Sequence, residues 1–370
     1  MSQSTDYDIA IIGAGAAGLS IAYFLSAHTR VVVLEAESQP AYHSSGRSAA
    51  MYIEGYENQV VRQLTQSGKA FFFTPTPGFS ETPLVTQAGG LTVAGPGEVT
   101  RLNKYLDTWQ PHCPELTLIS TTQARDIIPV LNSDWVSAAA YDPSWYNIDV
   151  HALLQGYQRG IRQRGSTIIT DFRADQILHS ADQWHLSCPD KQIKARILVN
   201  AAGAWANHIA ELAQVKPLPL TPMRRTAAIV PAPPDCTGWP LLHTIRENLY
   251  FKPQSPGLMV CPQDETPSEA MDAYAHDIDI AQALDTFSQV TDFEVQKVLH
   301  SWAGLRTFTP DRFPAVGFDP EQRNFFWLAG QGGFGIQTSP GLGALAAELV
   351  MSPSGSENGP LVEQIRAARF

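Results

Sequence analysis

Gly13, Gly15 and Gly18 stand in G-x-G-x-x-G spacing after an apolar run, Ile9 to Ile12, and a second apolar run, Val31 to Leu34, ends on Glu35. That order of residue types suits the pyrophosphate of a dinucleotide. The first glycine permits a tight turn, the second lets backbone approach the phosphates, and the third lets a helix lie close on its strand. Backbone N–H groups at the helix start, where Ala16 and Ala17 fall, face the phosphates with the helix dipole behind them. Glu35, followed by Ala36, comes 22 positions after Gly13, about where an acidic side chain accepts from a ribose hydroxyl. These residues alone fit NAD as well as FAD.

A second set, Gly330, Gly332 and Gly335, repeats the spacing after the strand-like NFFWLAG. Only 35 residues follow Gly335, and no third strand ending on a ribose-binding acid appears. The better reading is a glycine turn that aims a helix N-terminus at a ligand already held by the first motif. For a flavin, the helix dipole would stabilise negative charge on the reduced ring. A third small-residue turn ends the strand-like IKARILVNAAG, Ile193 to Gly203. Among the basic residues, Arg306 in WAGLR and Arg225 beside Arg224 have apolar flanks. A charge so flanked needs a partner, either a ligand or an internal carboxylate. Tyr250 sits on a predicted strand, where a tyrosine is ordinarily core.

The elements that must position these residues follow from periodicity and turn signals. Strand, helix and strand are expected over Asp8 to Glu35, then a Ser/Ala/Gly-rich loop over residues 36 to 59 and a helix from Val60 to Phe73. Loops of this length inside a compact domain are commonly functional. Short strands are expected within Phe79 to Ala94, and short helices over Thr100 to Asp107 and Thr121 to Ile128. Asp149 is the predicted N-cap of a helix that runs to Arg164 and stops at Gly165. Strands are expected over Thr167 to Asp171, Trp184 to Ser187, Arg225 to Val230, Leu249 to Lys252 and Leu258 to Cys261. The Ile193 strand should return the chain to the first sheet, so that two domains alternate along the sequence.

The chain has 370 residues, two domains at the usual ~100–200 residues each. Its net charge of −11 argues against nucleic acid or an anionic membrane surface as partner. Cys113, Cys188, Cys236 and Cys261 form no C-x-x-C pair, so neither a metal site nor a disulfide framework is expected. Ile9 to Ala27 is 19 residues without a charge. The glycine spacing and the VVVLE that follows make it βαβ rather than a membrane span, and a cytoplasmic protein is expected.

Taken together, GAGAAG, VVVLE, YHSSGRSAAMY, VNAAGAW, WAGLR and QGGFGIQTS resemble the D-amino-acid oxidase superfamily of FAD enzymes, most closely the D-arginine dehydrogenase type. The resemblance spans nearly the whole chain. It implies a Rossmann-type FAD-binding domain (1–75, 145–215 and 300–370) and a discontinuous α+β substrate domain of mostly antiparallel sheet (76–144 and 216–299). It also implies FAD held non-covalently, and oxidative deamination of a D-amino acid by hydride transfer from Cα to flavin N5. Ser48, Ala49, Ala50 and Met51 match the stretch beside the flavin, with Arg47 at a neighbouring basic position. Ala202, Gly203 and Trp205 match a second cofactor turn, and Gly333, Gly335, Ile336 and Gln337 match the helix start under the pyrimidine ring. Met51, Gly333 and Gln337 also fall at substrate positions. Arg225 and Arg306 match arginines near the substrate carboxylate, for which a planar guanidinium fork is suited. Tyr250 and Tyr56 match its hydroxyl contacts.

Three departures bear on specificity. Gly90 stands where the D-arginine type has a glutamate for the distal cation, Met51 replaces a histidine beside the flavin, and Ile53 replaces a threonine. Neutral or apolar side chains are therefore expected, with Glu54 as a carboxylate that could restore cation binding. Met51 to Tyr56, with Gly55 as hinge, would form a lid. Three alternatives stay open: oxidation of a secondary amine such as sarcosine or proline, or of glycine; oxidation of cationic D-amino acids; and a non-catalytic FAD subunit. The motifs do not specify the electron acceptor.

Overall fold

Alternation along β1 (Thr5–Ile12) builds the first layer. Ile9 and Ile11 enter one core, Ala10 and Ile12 the other, and the residues of β2 (Val31–Leu34) divide the same way. A strand buried on both faces belongs in a sheet covered by helices on both sides. The computed structural model describes residues 5–352 and 359–370. In it, β1 pairs in parallel with β2 and with Lys191–Asn200, Ile12 opposite Asn200, so the chain does return to its first sheet. The sheet has eight strands. Phe325–Ala329 extends it in parallel beside Leu198 to Asn200.

Between β1 and β2 lies α1 (Ala16–Leu25). Gly13 has φ +101°, and a Cβ there would sit 2.5 Å from the Ala201 oxygen, while a Cβ on Gly18 would sit 1.8 Å from the Gly13 oxygen. The two glycines thus let turn, helix and neighbouring strand meet. The helix Gly335–Met351 lies against α1, where a Cβ on Gly343 would be 2.7 Å from Ser20 Cβ. No helix among the described residues is long and apolar enough to cross a membrane.

The second layer is a nine-stranded sheet, antiparallel except where Leu241–Thr244 runs parallel to Gly90–Ala94. The architecture is the expected two-part α/β one. The range 300–370 spans both sheets, because His300–Phe308 pairs along Thr221–Val230 in the second. The expected helix over residues 60 to 73 is two, Gln59–Ser67 and Lys69–Phe73. Gly68 separates them where a Cβ would be 3.0 Å from the Gly341 nitrogen. Asp149 caps Val150–Gln163 by accepting from the Ala152 N–H, and Gly165 follows at φ +77°. The helix Asp277–Val290 and the strands Ala138–Asp142 and Tyr146–Ile148 carried no legible signal.

Two outcomes follow from this packing. Gly18→Ala should destabilise the fold by about 1–3 kcal/mol through overpacking, whereas Gly15→Ala, whose Cβ meets only Ser45 Oγ at 3.2 Å, should leave the urea midpoint nearly unchanged; equal midpoints would refute the contact. His243, on Leu241–Thr244, shares a 2.8 Å hydrogen bond with Thr92 Oγ1, and burial lowers its pKa to about 4. The unfolded imidazole titrates near ~6.5, so between those values only the unfolded chain takes the proton, and stability falls as pH drops. Urea midpoints of His243→Gln should flatten over that window; an unchanged slope would assign it to another group.

Candidate active site

Three cavities take up nearly all the residues singled out from the sequence. The largest, about 860 Å³, is lined by Gly13, Gly15, Glu35, Ala36, Ala202, Gly203 and Trp205. It lies where β1, β2 and the strand Lys191–Asn200 end together, at the carboxyl edge of a parallel sheet, where open α/β sheets bind ligands. Glu35 accepts the Ala14 N–H through Oε2 at 2.8 Å and the Glu37 N–H through Oε1 at 3.0 Å, which fixes the carboxylate at the cavity wall. Ser45 Oγ accepts from the Ala16 N–H at 2.9 Å. Ser44 and Ser45 line this cavity and also the first of two inner chambers, so one continuous wall joins them.

The inner chambers, about 90 Å³ each, share Ser48, Ala49, Tyr250, Arg306, Gly333 and Ile336. The first adds Ala16, Arg47, Arg225 and Gly335. The second adds Ala50, Met51, Tyr56 and Gln337. Ala17 and Gly18 line none of the three; Gly18 serves packing. Strand register explains the convergence of the arginines. Met223 lies opposite Arg306 and Arg225 opposite Gly304, so with a side-chain period of two both guanidinium groups leave the same face of the sheet. The helix Gly335–Met351 begins at the chamber wall, as the second glycine set requires.

The basic residues differ sharply in their partners. Arg225 donates from Nε to the Asp264 carbonyl at 2.7 Å and pairs with Glu265 at 3.3 Å. Arg47 donates to the carbonyls of Ala273 and Ala303 at 2.8 and 2.9 Å and pairs with Asp272. Its guanidinium therefore stitches the loop to the second sheet. Arg306 lies against Gly333 and lines both chambers, and among the described residues it has no hydrogen-bond or ion-pair partner. Burial raises the pKa of both Tyr56 and Tyr250 above the ordinary phenol value, keeping their hydroxyls protonated and able to donate.

The segment expected as a lid is pinned. Met51–Tyr52 pairs with Asn147 and Tyr146, and the Gln337 side chain bonds both the N–H and the carbonyl of Ile53. A Cβ on Gly55 would be 2.9 Å from Cys113 Sγ. Glu54 is unavailable to a ligand: burial works against its charge, but donors from Lys69, Gln66 and Tyr52 hold its pKa below the usual carboxylate range. Gly90 lies beneath Trp145, with no room for a side chain.

Sequence reasoning missed Trp145, Leu241, His243 and Gln263, all on the second chamber's wall. Buried Gln263 Oε1 has no partner, and the residue holds φ +56°. Only its place after the Leu258 to Cys261 strand could have drawn attention to it. Ser44 and Ser45 lay inside the quoted HSSGR stretch without being singled out.

The chain spans 42% of the length of mouse mitochondrial dimethylglycine dehydrogenase, to which it is 22% identical over 92% of its own length. It is 25% identical to the glycine oxidase of Geobacillus kaustophilus, with 93% of each chain covered. Among solved structures, L-proline dehydrogenase from P. horikoshii superposes with a TM-score of 0.84 at 22% identity, covering 100% of this chain and 98% of that one. These comparisons support the superfamily and do not single out the D-arginine dehydrogenase type. That resemblance rested on motifs for the cofactor and for a carboxylate, which enzymes of different amine substrates share. The glycine turn, the acid that follows β2 and the cavity that runs on into the inner chambers fit such a cofactor, and with residues 8–349 matching the family described as DAO, FAD dependent oxidoreductase, the chain belongs to this family.

Proposed function

We propose that the protein oxidises a small amino acid at the carbon next to nitrogen, with a secondary or N-methylated amine such as sarcosine, dimethylglycine or proline, or glycine itself, as substrate. One observation carries the reading. The second chamber is lined by the Arg306 guanidinium, which has no partner among the described residues, and by Gln263, whose buried Oε1 is also without one. A lone guanidinium and a lone amide oxygen each carry a cost when left unsatisfied in an apolar setting. A zwitterion bearing a carboxylate and an N–H answers both. The names of the relatives, dimethylglycine dehydrogenase, glycine oxidase and L-proline dehydrogenase, favour small and secondary amines over primary D-amino acids.

Within this proposal Gly13, Gly15, Glu35 and the Ala202 to Trp205 turn hold the adenosine and pyrophosphate half of FAD, and residues 48 to 51 with 333 to 337 face its flavin half. FAD supplies the two-electron acceptor for the substrate carbon–hydrogen bond. The chain's own residues bind and orient. Arg306 takes the carboxylate through two N–H groups, with Tyr250 and Tyr56 donating beside it. Arg225, already bonded to Asp264 and Glu265, acts as a fixed positive charge at the chamber edge. Gln263 accepts from a substrate N–H where one is present; the nitrogen first gives its ammonium proton to solvent, and its lone pair then becomes the C=N bond as the hydride leaves the neighbouring carbon. Met51, Ile53, Leu241 and Phe334 exclude water from the reacting bond.

Anaerobic addition of sarcosine, dimethylglycine, glycine, L-proline and a set of D-amino acids, followed in the visible flavin spectrum, tests the proposal. Bleaching by one of the first four is expected, and bleaching by primary D-amino acids alone would overturn the choice of substrate. Arg306→Met should retain FAD but weaken acetate binding about 10- to 100-fold, the worth of one charge-assisted hydrogen-bonded group; an unchanged affinity would remove its role. Gln263→Leu should leave acetate affinity intact while raising KM for the amine substrate, and parallel losses in both would argue against an acceptor role.

A further inference from the structure

We infer that Trp145, lying over Gly90, sets the depth of the substrate chamber and restricts it to compact, uncharged substituents. The inference rests on the carboxylate reading of the chamber above. A Cβ built on Gly90 falls 2.1 Å from Trp145 Cδ2 and 2.2 Å from Cε3, so the indole occupies the volume that a side chain at 90 would need. The ring is fixed from two directions. Its Nε1–H donates to Asp142 Oδ2 at 3.2 Å, and its face stacks on His243 with centroids 5.5 Å apart and planes at 25°. Asp142 lies directly opposite Gly90 in the sheet, so the anchor and the gap belong to one strand pair.

Apart from Arg306, the rest of the wall is equally uncharged. Trp145 packs with Met51, Ile53 and Leu241 in one buried cluster that Tyr56 and Tyr250 flank. His243 behind the indole is held neutral by burial down to about pH 4. Among the described residues lining the second chamber there is no Asp or Glu. A cationic side chain pushed toward this wall would lose its hydration without gaining a carboxylate. A flat or aliphatic group would gain contact with the indole and Leu241. Because the indole fills the space over Gly90, replacing Gly90 alone cannot create a cation site; the bulk above it must be removed first.

The holoenzyme's visible spectrum reports carboxylate binding without turnover, so acetate and phenylacetate serve as small and large probes. Trp145→Ala should leave the acetate Kd within about twofold and improve phenylacetate by about tenfold or more, the usual scale for pocket-size discrimination. Trp145→Phe, which keeps most of the packing, should shift the ratio in the same direction by less. The double variant Trp145→Ala/Gly90→Glu should bind 4-guanidinobutyrate more tightly than Trp145→Ala does, whereas Gly90→Glu alone should not. An unchanged phenylacetate-to-acetate ratio in both Trp145 variants would overturn the assignment. Failure of the parent protein to bind either acid would instead strike at the carboxylate reading itself.

Discussion

The close approach of backbone to backbone around Gly13 and Gly18 is the constraint on which the remainder depends. Gly18 lets α1 settle onto the Gly13 carbonyl, and Gly13 lets the first turn touch Ala201 at the end of the strand Lys191–Asn200. Those two contacts bring the N-terminus of α1 and the Ala201 to Trp205 turn to one edge of the sheet. Gly343 does the same for the helix Gly335–Met351, which presses on Ser20 of α1. Two helix N-termini thereby converge on one continuous cavity wall. A larger residue at any of these places would separate elements whose value lies in being adjacent.

Charge distribution in the second sheet follows from the first constraint only indirectly, through pairing register. Thr221–Val230 and His300–Phe308 are bound along their length, and that register puts Arg225 and Arg306 on one face. Two like charges so near one another in a buried setting need compensation. Arg225 receives it from Asp264 and Glu265, and Glu265 is in turn bridged by Arg312 to Glu57. Arg306 receives none among the described residues. The asymmetry leaves Arg225 compensated and Arg306 open, which is why Arg306 is the one proposed to take a ligand.

Much of this was legible in the residues and much was not, for identifiable reasons. The βαβ unit, the second glycine turn and the Asp149 cap are local patterns whose meaning does not depend on distant partners, and each appears where the spacing puts it. The convergence of Arg225, Arg306, Tyr56 and Tyr250 on the inner chambers was accessible only through resemblance, since no local rule links residues 56 and 306. The partners of Arg47 and Arg225 were invisible because Asp272, Asp264 and Glu265 sit in a segment without periodicity. Gly68 escaped notice as a helix break because its cause, the helix at Gly341, is remote in sequence. Trp145 follows a Pro-Ser turn and reads as an ordinary core aromatic until the sheet brings it over Gly90.

In the proposed function, cofactor and substrate answer to different parts of the chain. The wall proposed for the cofactor is rich in glycines, alanines and serines that follow one another closely in sequence, as at Gly13 to Gly15, Ser44 to Ser45 and Ala201 to Ala204. The substrate wall is made of side chains on strands that come together only in the folded sheet. There a gap at one position and bulk at another are a single feature, as Gly90 and Trp145 are. A motif read at Gly90 alone indicates a missing carboxylate and an emptied pocket. Packing shows the opposite: the volume over Gly90 is filled by the Trp145 indole, and the wall packed against it is Met51, Ile53 and Leu241. Under the proposed function, the Arg306 guanidinium fixes which end of the substrate leads, and the uncharged wall at Trp145 receives the other end without a charged group.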